Sequence, residues 1–255
     1  IIITGCQSEN QLPAYDHALL DTVLSDASEI SNLYSVSVSI DGEIIAEEYY
    51  GYRKDSYNAN VFSVSKSVTS LLVGIAIDKG YIDNVNQSIG DFIDLSIYNN
   101  QEELEEITLK HLLTMSAGLV WDSNNLSSEM INLRGTTNAL GFILEREMGF
   151  TPGTRFNYSD GSAHLVSYIL EAATGMTSHD FAIEHLFTPL GIEESVWYTD
   201  RQQIPIGGCD LFLKTDDMII IGNLVLNDGY YNDTQIVSKD WLTTSTTNQI
   251  GAFAN

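Results

Sequence analysis

The chain has 255 residues, of which 44% are hydrophobic and 18% are charged. This composition supports a sizeable core and excludes a disordered chain. The formal net charge is -24, and the few lysines and arginines are scattered, so a nucleic-acid-binding surface is excluded as well. No stretch approaches the roughly 18 consecutive apolar residues that indicate a membrane-spanning helix.

The first ten residues, IIITGCQSEN, do not begin with Met and carry an apolar run up to Cys6. Residues 3–6 resemble the lipobox of bacterial lipoproteins, in which a signal peptide is cut before a cysteine that is then lipidated. We therefore expect residues 1–13 to be a tether that anchors an extracytoplasmic domain through a lipid on Cys6. The alternative is an accidental Gly-Cys pair. Cys209, the other cysteine, is expected to be a small buried hydrophobic residue.

Residues 14–29 have apolar positions at helical spacing and predict a first helix. Residues 34–40 then alternate strictly between apolar residues and serine, and residues 43–50 follow after Asp41 and Gly42. This pattern predicts two antiparallel strands joined by a two-residue turn. Since an isolated hairpin is not stable, we expect the two strands to belong to a larger sheet.

The segment VFSVSKSVTSLL (61–72) combines one lysine with five serine and threonine residues. A helix that begins near Ser63 would carry an apolar stripe on one side and a narrow polar stripe on the other. Lys66 lies one turn after Ser63 on that polar stripe. Gly80 is well placed to end the helix.

Residues 81–200 are predicted to be mostly helical, with helices at 107–115, 138–147, 162–175 and 178–191. Residues 218–226 could form a strand by composition, but the apolar spacing favours a helix. We expect residues 14–255 to form one domain with a sheet part (14–80) and a mostly helical part (81–255). One hairpin cannot make the sheet of a domain this size, so further strands are expected beyond Asn255.

Ser63 and Lys66 have the spacing of a nucleophile and its base. A serine hydroxyl is a weak nucleophile until a base lies within hydrogen-bond distance, and a neutral lysine can be that base. The pKa of such a lysine must first fall, which burial or the positive end of a helix dipole would favour. The S-x-x-K motif occurs once here, but it is short enough to arise by chance. The alternative is a solvated lysine on a serine-rich helix face.

Tyr158, Ser159 and Asp160 follow a Pro-Gly turn and precede a predicted helix. A tyrosine in such a loop can move a proton between a serine, a lysine and a leaving group, although a lone tyrosine more often serves packing. Trp121 could line a substrate cleft or could equally be a core residue. No histidines or carboxylates have metal-ligand spacing, so we expect neither a metal nor a cofactor.

Five stretches together resemble the serine β-lactamase and penicillin-binding-protein superfamily. They are FSVSKSVTSLLVGIAIDKG (62–80), ITLKHLLTMSAGL (107–119), PGTRFNYSDGSAHLVSYILEAATG (152–175), HLFTPLGIEESVW (185–197) and GGCDLFLKTDDMIIIGNLVLNDGYYNDTQIVSKDWL (207–242). The resemblance is greatest to the class C-like branch, which includes D-alanyl-D-alanine carboxypeptidases, esterases and 6-aminohexanoate-dimer hydrolases. It implies an α/β (α+β) fold with an antiparallel sheet flanked by helices and a mostly helical lobe.

The resemblance implies that Ser63 forms an acyl-enzyme, that Lys66 activates it and that Tyr158 assists proton transfer. Asp160 stands where many members have Asn, in a position that contacts substrate. The third motif of the family, on a strand that also supplies the second oxyanion N–H, is expected after residue 255. The predicted function is therefore a serine hydrolase acting on an ester or amide, such as a peptide, lactam or oligoamide. The alternative is an inactive binding module for peptidoglycan-like or peptide ligands.

Overall fold

The computed structural model describes residues 16–52 and 54–251, together with the backbone of residues 3–4. Cys6 lies outside the described residues, as does most of the predicted tether. The strands are β1 (Ile3–Thr4), β2 (Ser35–Ile40), β3 (Glu43–Tyr49), β4 (Ala59–Asn60), β5 (Val196–Trp197), β6 (Leu211–Leu213), β7 (Tyr230–Tyr231) and β8 (Thr234–Gln235). They form sheets of order β1-β2-β3, β4-β6-β5 and β7-β8.

Helices make up most of the remaining regular structure. The α-helices are α1 (His17–Ser28), α2 (Ser65–Asp78), α3 (Gln101–Glu105), α4 (Leu109–Leu113), α5 (Leu126–Gly135), α6 (Ala139–Leu144), α7 (Asp160–Thr174), α8 (Ser178–Ala182), α9 (Thr188–Leu190), α10 (Thr215–Leu226) and α11 (Lys239–Ser245). Short 3-10 turns lie at Phe62–Val64 and Ile89–Asp91, and a π-helical turn lies at Ile183–Phe187. The expected mixed α/β class is confirmed, and within the described residues no helix is long and apolar enough to cross a membrane.

The predicted hairpin is present as β2 and β3. Asp41 and Gly42 both have positive φ, 51° and 88°, which is the backbone that a tight two-residue turn between twisted strands requires. The serines of β2 lie on a packed face: Ser37 is 2% exposed, and Ser35 Oγ lies 2.7 Å from Thr215 Oγ1 at the start of α10. Small side chains on this face allow α10 to pack closely against the strand.

The central helix α2 is buried along most of its length, with Leu72 fully inaccessible and Val68 and Ile75 at 1%. The sequence predicted a helix that begins near Ser63, but the α-helix begins at Ser65 after the 3-10 turn. The helix ends at Asp78 with Lys79 as its C-cap, and Gly80 with φ 76° turns the chain, as predicted. Helix α7 packs across α2, so their N-terminal ends share one edge of the helical layer.

Two other helix predictions have different outcomes. Residues 218–226 lie within α10, which confirms the helix over the strand. The helix predicted for 178–191 is instead α8, a π-helical turn and α9 in succession, with Pro189 near the start of α9. Proline lacks an N–H, so a regular α-helical ladder cannot run through that position.

A buried polar cluster joins α7 to the loop that follows β5. His164 Nε2 lies 2.9 Å from Asp200 Oδ2, and both side chains are fully buried. Tyr168 donates a 2.6 Å hydrogen bond to the same oxygen, while Asp200 Oδ1 accepts from the N–H groups of Gln202 and Ile204. Burial opposes the charged carboxylate, but its hydrogen bonds to His164, Tyr168 and Ile204 outweigh burial and lower the pKa of Asp200.

This cluster predicts an acid-sensitive contribution to stability from Asp200. Asp200→Asn should lower the unfolding free energy by about 1–3 kcal/mol at neutral pH, because a charge-assisted hydrogen-bond acceptor is weakened in the core. A group with a lowered folded-state pKa stabilises above its unfolded pKa and loses that contribution as pH falls through the folded value. The wild-type advantage over Asp200→Asn should therefore be constant above pH ~5 and shrink below pH ~4.

Urea unfolding at pH 3–7, followed by tryptophan fluorescence, measures this difference directly. Asp94→Asn is a matched control for carboxylate removal, because Asp94 is outside the core and contacts only Ser96 through its side chain. An Asp200→Asn curve that runs parallel to the wild-type curve over the whole pH range would contradict the assignment of Asp200 as a buried anion.

Candidate active site

Ser63 lies in the 3-10 turn that leads into α2, with its side chain exposed. Tyr158 donates a 2.7 Å hydrogen bond to Ser63 Oγ, and Lys66 Nζ donates to the same oxygen at 3.2 Å. The Lys66 amine also lies 4.9 Å from the centre of the Tyr158 ring. The three residues nominated as catalytic from the sequence are thus in mutual contact.

Lys66 is surrounded by three acceptors. Besides Ser63 Oγ, its Nζ contacts Asp160 Oδ1 and the Gly208 carbonyl oxygen, both at 2.6 Å. The side chains of Lys66 and Asp160 are 13% and 6% exposed, so this ion pair is largely withdrawn from water. The sequence analysis named burial and the positive end of a helix dipole as influences on the lysine; in the structure its nearest neighbours are a carboxylate and a carbonyl oxygen.

The start of α7 positions both Tyr158 and Asp160. The Asn157 N–H donates to the Met115 carbonyl oxygen at 2.8 Å, which fixes the loop before the helix. Ser159 caps the helix by accepting from the Ser162 N–H at 3.0 Å, and Asp160 is the first helical residue. A carboxylate is favoured at that position because the helix dipole is positive there.

Residues 207–211 form the opposite wall of the site, and none of them was predicted to be a site residue. Thr69 donates to the Gly207 carbonyl oxygen at 2.8 Å, next to the contact between Lys66 and Gly208. A Cβ on Gly207 would lie 2.5 Å from the Ala163 carbonyl oxygen, so only glycine allows this approach. Backbone carbonyl ligands leave no side-chain signature, and the Gly-Gly pair was the one available clue.

Phe62, directly before Ser63, adopts a left-handed backbone with φ 47°. For a bulky residue this conformation costs about 1–3 kcal/mol and persists only where its surroundings enforce it. Its N–H donates to Asn60 Oδ1 at 2.7 Å, and its carbonyl oxygen accepts from Ser65 Oγ at 2.6 Å. Because the Phe62 side chain is 67% exposed, the constraint comes from these backbone contacts.

Trp121 does not line an open cleft, which corrects its nomination as a substrate contact. It is 3% exposed, and its ring stacks edge-on to Phe142 and lies beneath the Arg146 guanidinium. A Cβ on Gly161 would lie 2.5 Å from this ring. Of the two interpretations that the sequence left open for Trp121, the core position agrees with its burial.

Two apolar cavities adjoin the site. One of about 570 Å³ lies beside Tyr158 and is walled by α4 and α11, with Leu113, Phe156 and Trp241 in its lining. The other, of about 560 Å³, reaches Lys66 and runs between α2 and α10. Ser63 therefore lies at the edge of a largely apolar surface that is open to solvent. Within residues 16–52 and 54–251, no group of three His, Cys, Asp or Glu side chains could hold a metal ion.

Comparison with known proteins gives a family match over most of the chain. The model of the Beta-lactamase family matches residues 29–207, a range that includes Ser63, Lys66, Tyr158 and Asp160. Gly208 lies just outside it. An uncharacterized protein of Alkalihalophilus pseudofirmus is 26% identical over 253 residues, covering 86% of this chain and 68% of that protein.

Two further proteins are similar to this chain. Penicillin-binding protein 4* of Bacillus subtilis is 24% identical over 182 residues, which cover 63% of this chain but 37% of that protein. The chain thus spans less than two fifths of that relative's length. The D-stereospecific amidohydrolase of a Streptomyces species superposes with a TM-score of 0.69 at 18% identity, covering 91% of this chain and 78% of that one. At this identity the likeness is one of fold.

The Lys66–Asp160 ion pair generates a stability prediction. Asp160→Ala should lower the unfolding free energy by about 3 kcal/mol, because it leaves a buried ammonium without its counter-ion. Asp160→Asn retains an acceptor for Lys66 and should cost about half as much or less. Urea unfolding at pH 7 separates the two variants.

Lys66→Met in the Asp160→Ala background should recover part of the loss, because the unpaired cation is then removed as well. The exposed pair between Lys214 and Glu194 is the control, and Glu194→Ala should leave the unfolding free energy nearly unchanged because solvent screens the pair. Equal losses for Asp160→Ala and Glu194→Ala would mean that the active-site pair is as well hydrated as a surface pair.

Proposed function

Because the chain belongs to the Beta-lactamase family, we propose that it is a serine hydrolase that forms an acyl-enzyme on Ser63. The observation that carries this proposal is the position of Ser63 Oγ, within hydrogen-bond distance of both Lys66 Nζ and Tyr158 Oη. A nucleophile in contact with a potential base and a second proton carrier is the arrangement that acyl transfer requires.

Lys66 is the proposed base. The ammonium of the resting Lys66–Asp160 ion pair must lose one proton before Lys66 can act as a base. The neutral amine then has two N–H donors and one lone pair. The two short contacts, to Asp160 and to the Gly208 carbonyl oxygen, each accept one N–H. The lone pair is then left for the longest of the three contacts, at 3.2 Å, where the Ser63 hydroxyl can donate its proton. The acceptors around Lys66 thus orient the amine toward Ser63.

Tyr158 is the proposed proton carrier to the leaving group. Its hydroxyl lies 2.7 Å from Ser63 Oγ, and its ring contacts the Lys66 amine. After Ser63 Oγ bonds to the carbonyl carbon, the proton taken by Lys66 must reach the leaving alcohol or amine, and Tyr158 can transfer it. Water then attacks the acyl-enzyme, which releases the acid and returns the proton to Ser63.

The proposed substrates are esters or amides, in the form of small molecules or peptides. The cavity beside Tyr158 has room for an apolar acyl or leaving group. The similarity to an amidohydrolase of a Streptomyces species supports amides, and the similarity to penicillin-binding protein 4* of Bacillus subtilis keeps peptides and lactams within the class. Loops around the site select among these substrates.

The proposed location is extracytoplasmic, with a lipid on Cys6, as the lipobox-like residues 3–6 suggest.

The alternative function is a binding module without turnover. No contact among the described residues specifically favours it over catalysis. Asp160 differs from the Asn of many family members, but it contacts Lys66 through a short ion pair and leaves Ser63 in place. A module that only binds would retain ligand affinity in Ser63→Ala and would hydrolyse none of a broad panel of esters and amides. Both results together would favour binding over catalysis.

The hydrolase proposal predicts that a fluorophosphonate probe labels Ser63 covalently. Ser63→Ala should abolish labelling and lower ester turnover by at least ~1,000-fold, because the nucleophile is lost. Lys66→Ala should lower turnover by about 100- to 10,000-fold, the usual contribution of general base catalysis. Gel fluorescence measures labelling, and release of p-nitrophenol from a short-chain ester measures turnover.

Ser67→Ala is the matched control. Ser67 lies in α2, four residues after Ser63, and is also exposed. It makes no hydrogen bond to Lys66 or Tyr158. This variant should label at the wild-type rate. If labelling persists in Ser63→Ala and disappears in Ser67→Ala, Ser67 is the nucleophile and the assignment to Ser63 is wrong. Labelling that persists in both variants would reject the proposed mechanism.

A further inference from the structure

Asn60 connects the backbone before Ser63 to a buried carboxylate. It lies at the end of β4, opposite Phe212 of β6. The two ends of its side-chain amide serve different partners: Oδ1 accepts from the Phe62 N–H at 2.7 Å, and Nδ2 donates to Asp210 Oδ1 at 3.1 Å. The orientation of this amide is thereby fixed, because an inverted amide would set donor against donor at Phe62.

Asp210 is in turn held by an arginine from a different part of the chain. Arg134, in the last turn of α5, donates from Nε to Asp210 Oδ2 at 2.9 Å and contacts the same oxygen through Nη2. The Asp210 side chain is 6% exposed and that of Arg134 is 45% exposed. Asp210 also has a left-handed backbone, with φ 64°. The Arg134–Asp210–Asn60 relay therefore includes one left-handed residue, Asp210, and contacts a second one, Phe62, through Asn60.

We propose that Arg134, Asp210 and Asn60 are positioning residues that hold Phe62 in its left-handed conformation and so aim Ser63 at Lys66 and Tyr158. This inference rests on the proposed role of Ser63 as nucleophile. None of the three residues touches Ser63 Oγ, so their effect on the reaction passes through the backbone of Phe62.

The geometry around Ser63 explains why such a relay affects rate. Ser63 follows Phe62 directly, so a change in the φ of Phe62 swings Ser63 Oγ away from contacts of 3.2 Å to Lys66 and 2.7 Å to Tyr158. A displacement of about 1 Å at a reacting group can lower the rate by roughly 100-fold. Without the Asn60 acceptor, the Phe62 N–H no longer enforces the unfavourable backbone, and Phe62 can relax to negative φ.

The relay also supports the opposite wall of the site. Asp210 lies two residues after Gly208, whose carbonyl oxygen accepts from Lys66. Leu211, the next residue, accepts from the Val61 N–H at 2.9 Å. A single anchored carboxylate therefore fixes the strand that contacts Lys66 and, through Asn60, the turn that carries Ser63.

The test compares the rate of acylation by the fluorophosphonate probe in Asn60→Ala, Arg134→Ala and Arg134→Lys. Acylation should slow by about 10- to 100-fold in Asn60→Ala, with a smaller loss in Arg134→Ala, which acts one step further away. Arg134→Lys should recover part of that loss, since it restores the charge but not the two-pronged contact. KM for a short-chain ester should change by less than about 3-fold, because no substrate contact is removed.

The decisive variant combines Asn60→Ala with Phe62→Gly. Glycine adopts positive φ readily, so the backbone no longer depends on the relay. Asn60→Ala should slow acylation much less in the Phe62→Gly background than in the wild type. Equal fold-losses in the two backgrounds would overturn the inference, because a merely structural role of Asn60 would not depend on residue 62.

Arg146→Ala is the matched control for the arginine. Arg146, which follows α6, pairs with Glu129 of α5, the helix that carries Arg134. Its hydrogen bonds among the described residues include none to Asn60 or Asp210. It should lose stability in urea while keeping the wild-type acylation rate. If it slows acylation as much as Arg134→Ala does, the effect belongs to the docking of α5 and the relay is rejected.

Ser63→Ala distinguishes a failure of the proposed function from a failure of the positioning inference. If it still labels, the proposed function fails. If it does not label, while Asn60→Ala and Arg134→Ala acylate at the wild-type rate, the hydrolase proposal stands and the positioning inference alone is overturned.

Discussion

The amine of Lys66 holds three separate parts of the chain at one point. It extends from α2, pairs with Asp160 at the start of α7, and donates to the Gly208 carbonyl oxygen in the segment before β6. Each contact meets a need of the others: the carboxylate supplies the counter-ion that a buried ammonium requires, and the carbonyl oxygen accepts an N–H that would otherwise be unpaired. Ser63 lies within hydrogen-bond distance of this group because it is three residues earlier, in the 3-10 turn that leads into α2.

The close contacts around Lys66 explain why its neighbours are two glycines, Gly207 and Gly208, and the short side chain of Asp160. Gly207 allows the opposite wall to approach α7 more closely than any side chain would permit, and a Cβ on Gly208 would lie 3.1 Å from Asp160 Oδ1. Asp160 itself is favoured at the positive end of α7. Unlike an asparagine, the carboxylate can only accept hydrogen bonds, so its contact with the amine has one possible polarity.

The sequence predicted the parts of this site that depend on local periodicity. Ser63 and Lys66 share a helix face by spacing alone, and the apolar stripe that buries Leu72 fixes which face that is. The hairpin, α7 and α10 were predictable for the same reason. Gly208, Asn60 and Arg134 were not, because they reach the site through tertiary contacts that no short pattern encodes. For Trp121 the sequence left a cleft position and a core position equally open, and only the tertiary packing, which leaves it 3% exposed, distinguishes the two.

Two of the non-glycine residues with a left-handed backbone lie close to Ser63 and are connected to each other. Phe62 and Asp210 both have positive φ without being glycine, and they lie at the two ends of a chain of hydrogen bonds through Asn60. Elsewhere positive φ falls mostly at turns, such as Asp41 in the hairpin, where the local turn accounts for it. No turn between strands requires it at Phe62, so the surrounding contacts must maintain it at the expense of stability. Strain held in this way, beside a serine that contacts a lysine and a tyrosine, is the pattern expected of a preorganised nucleophile.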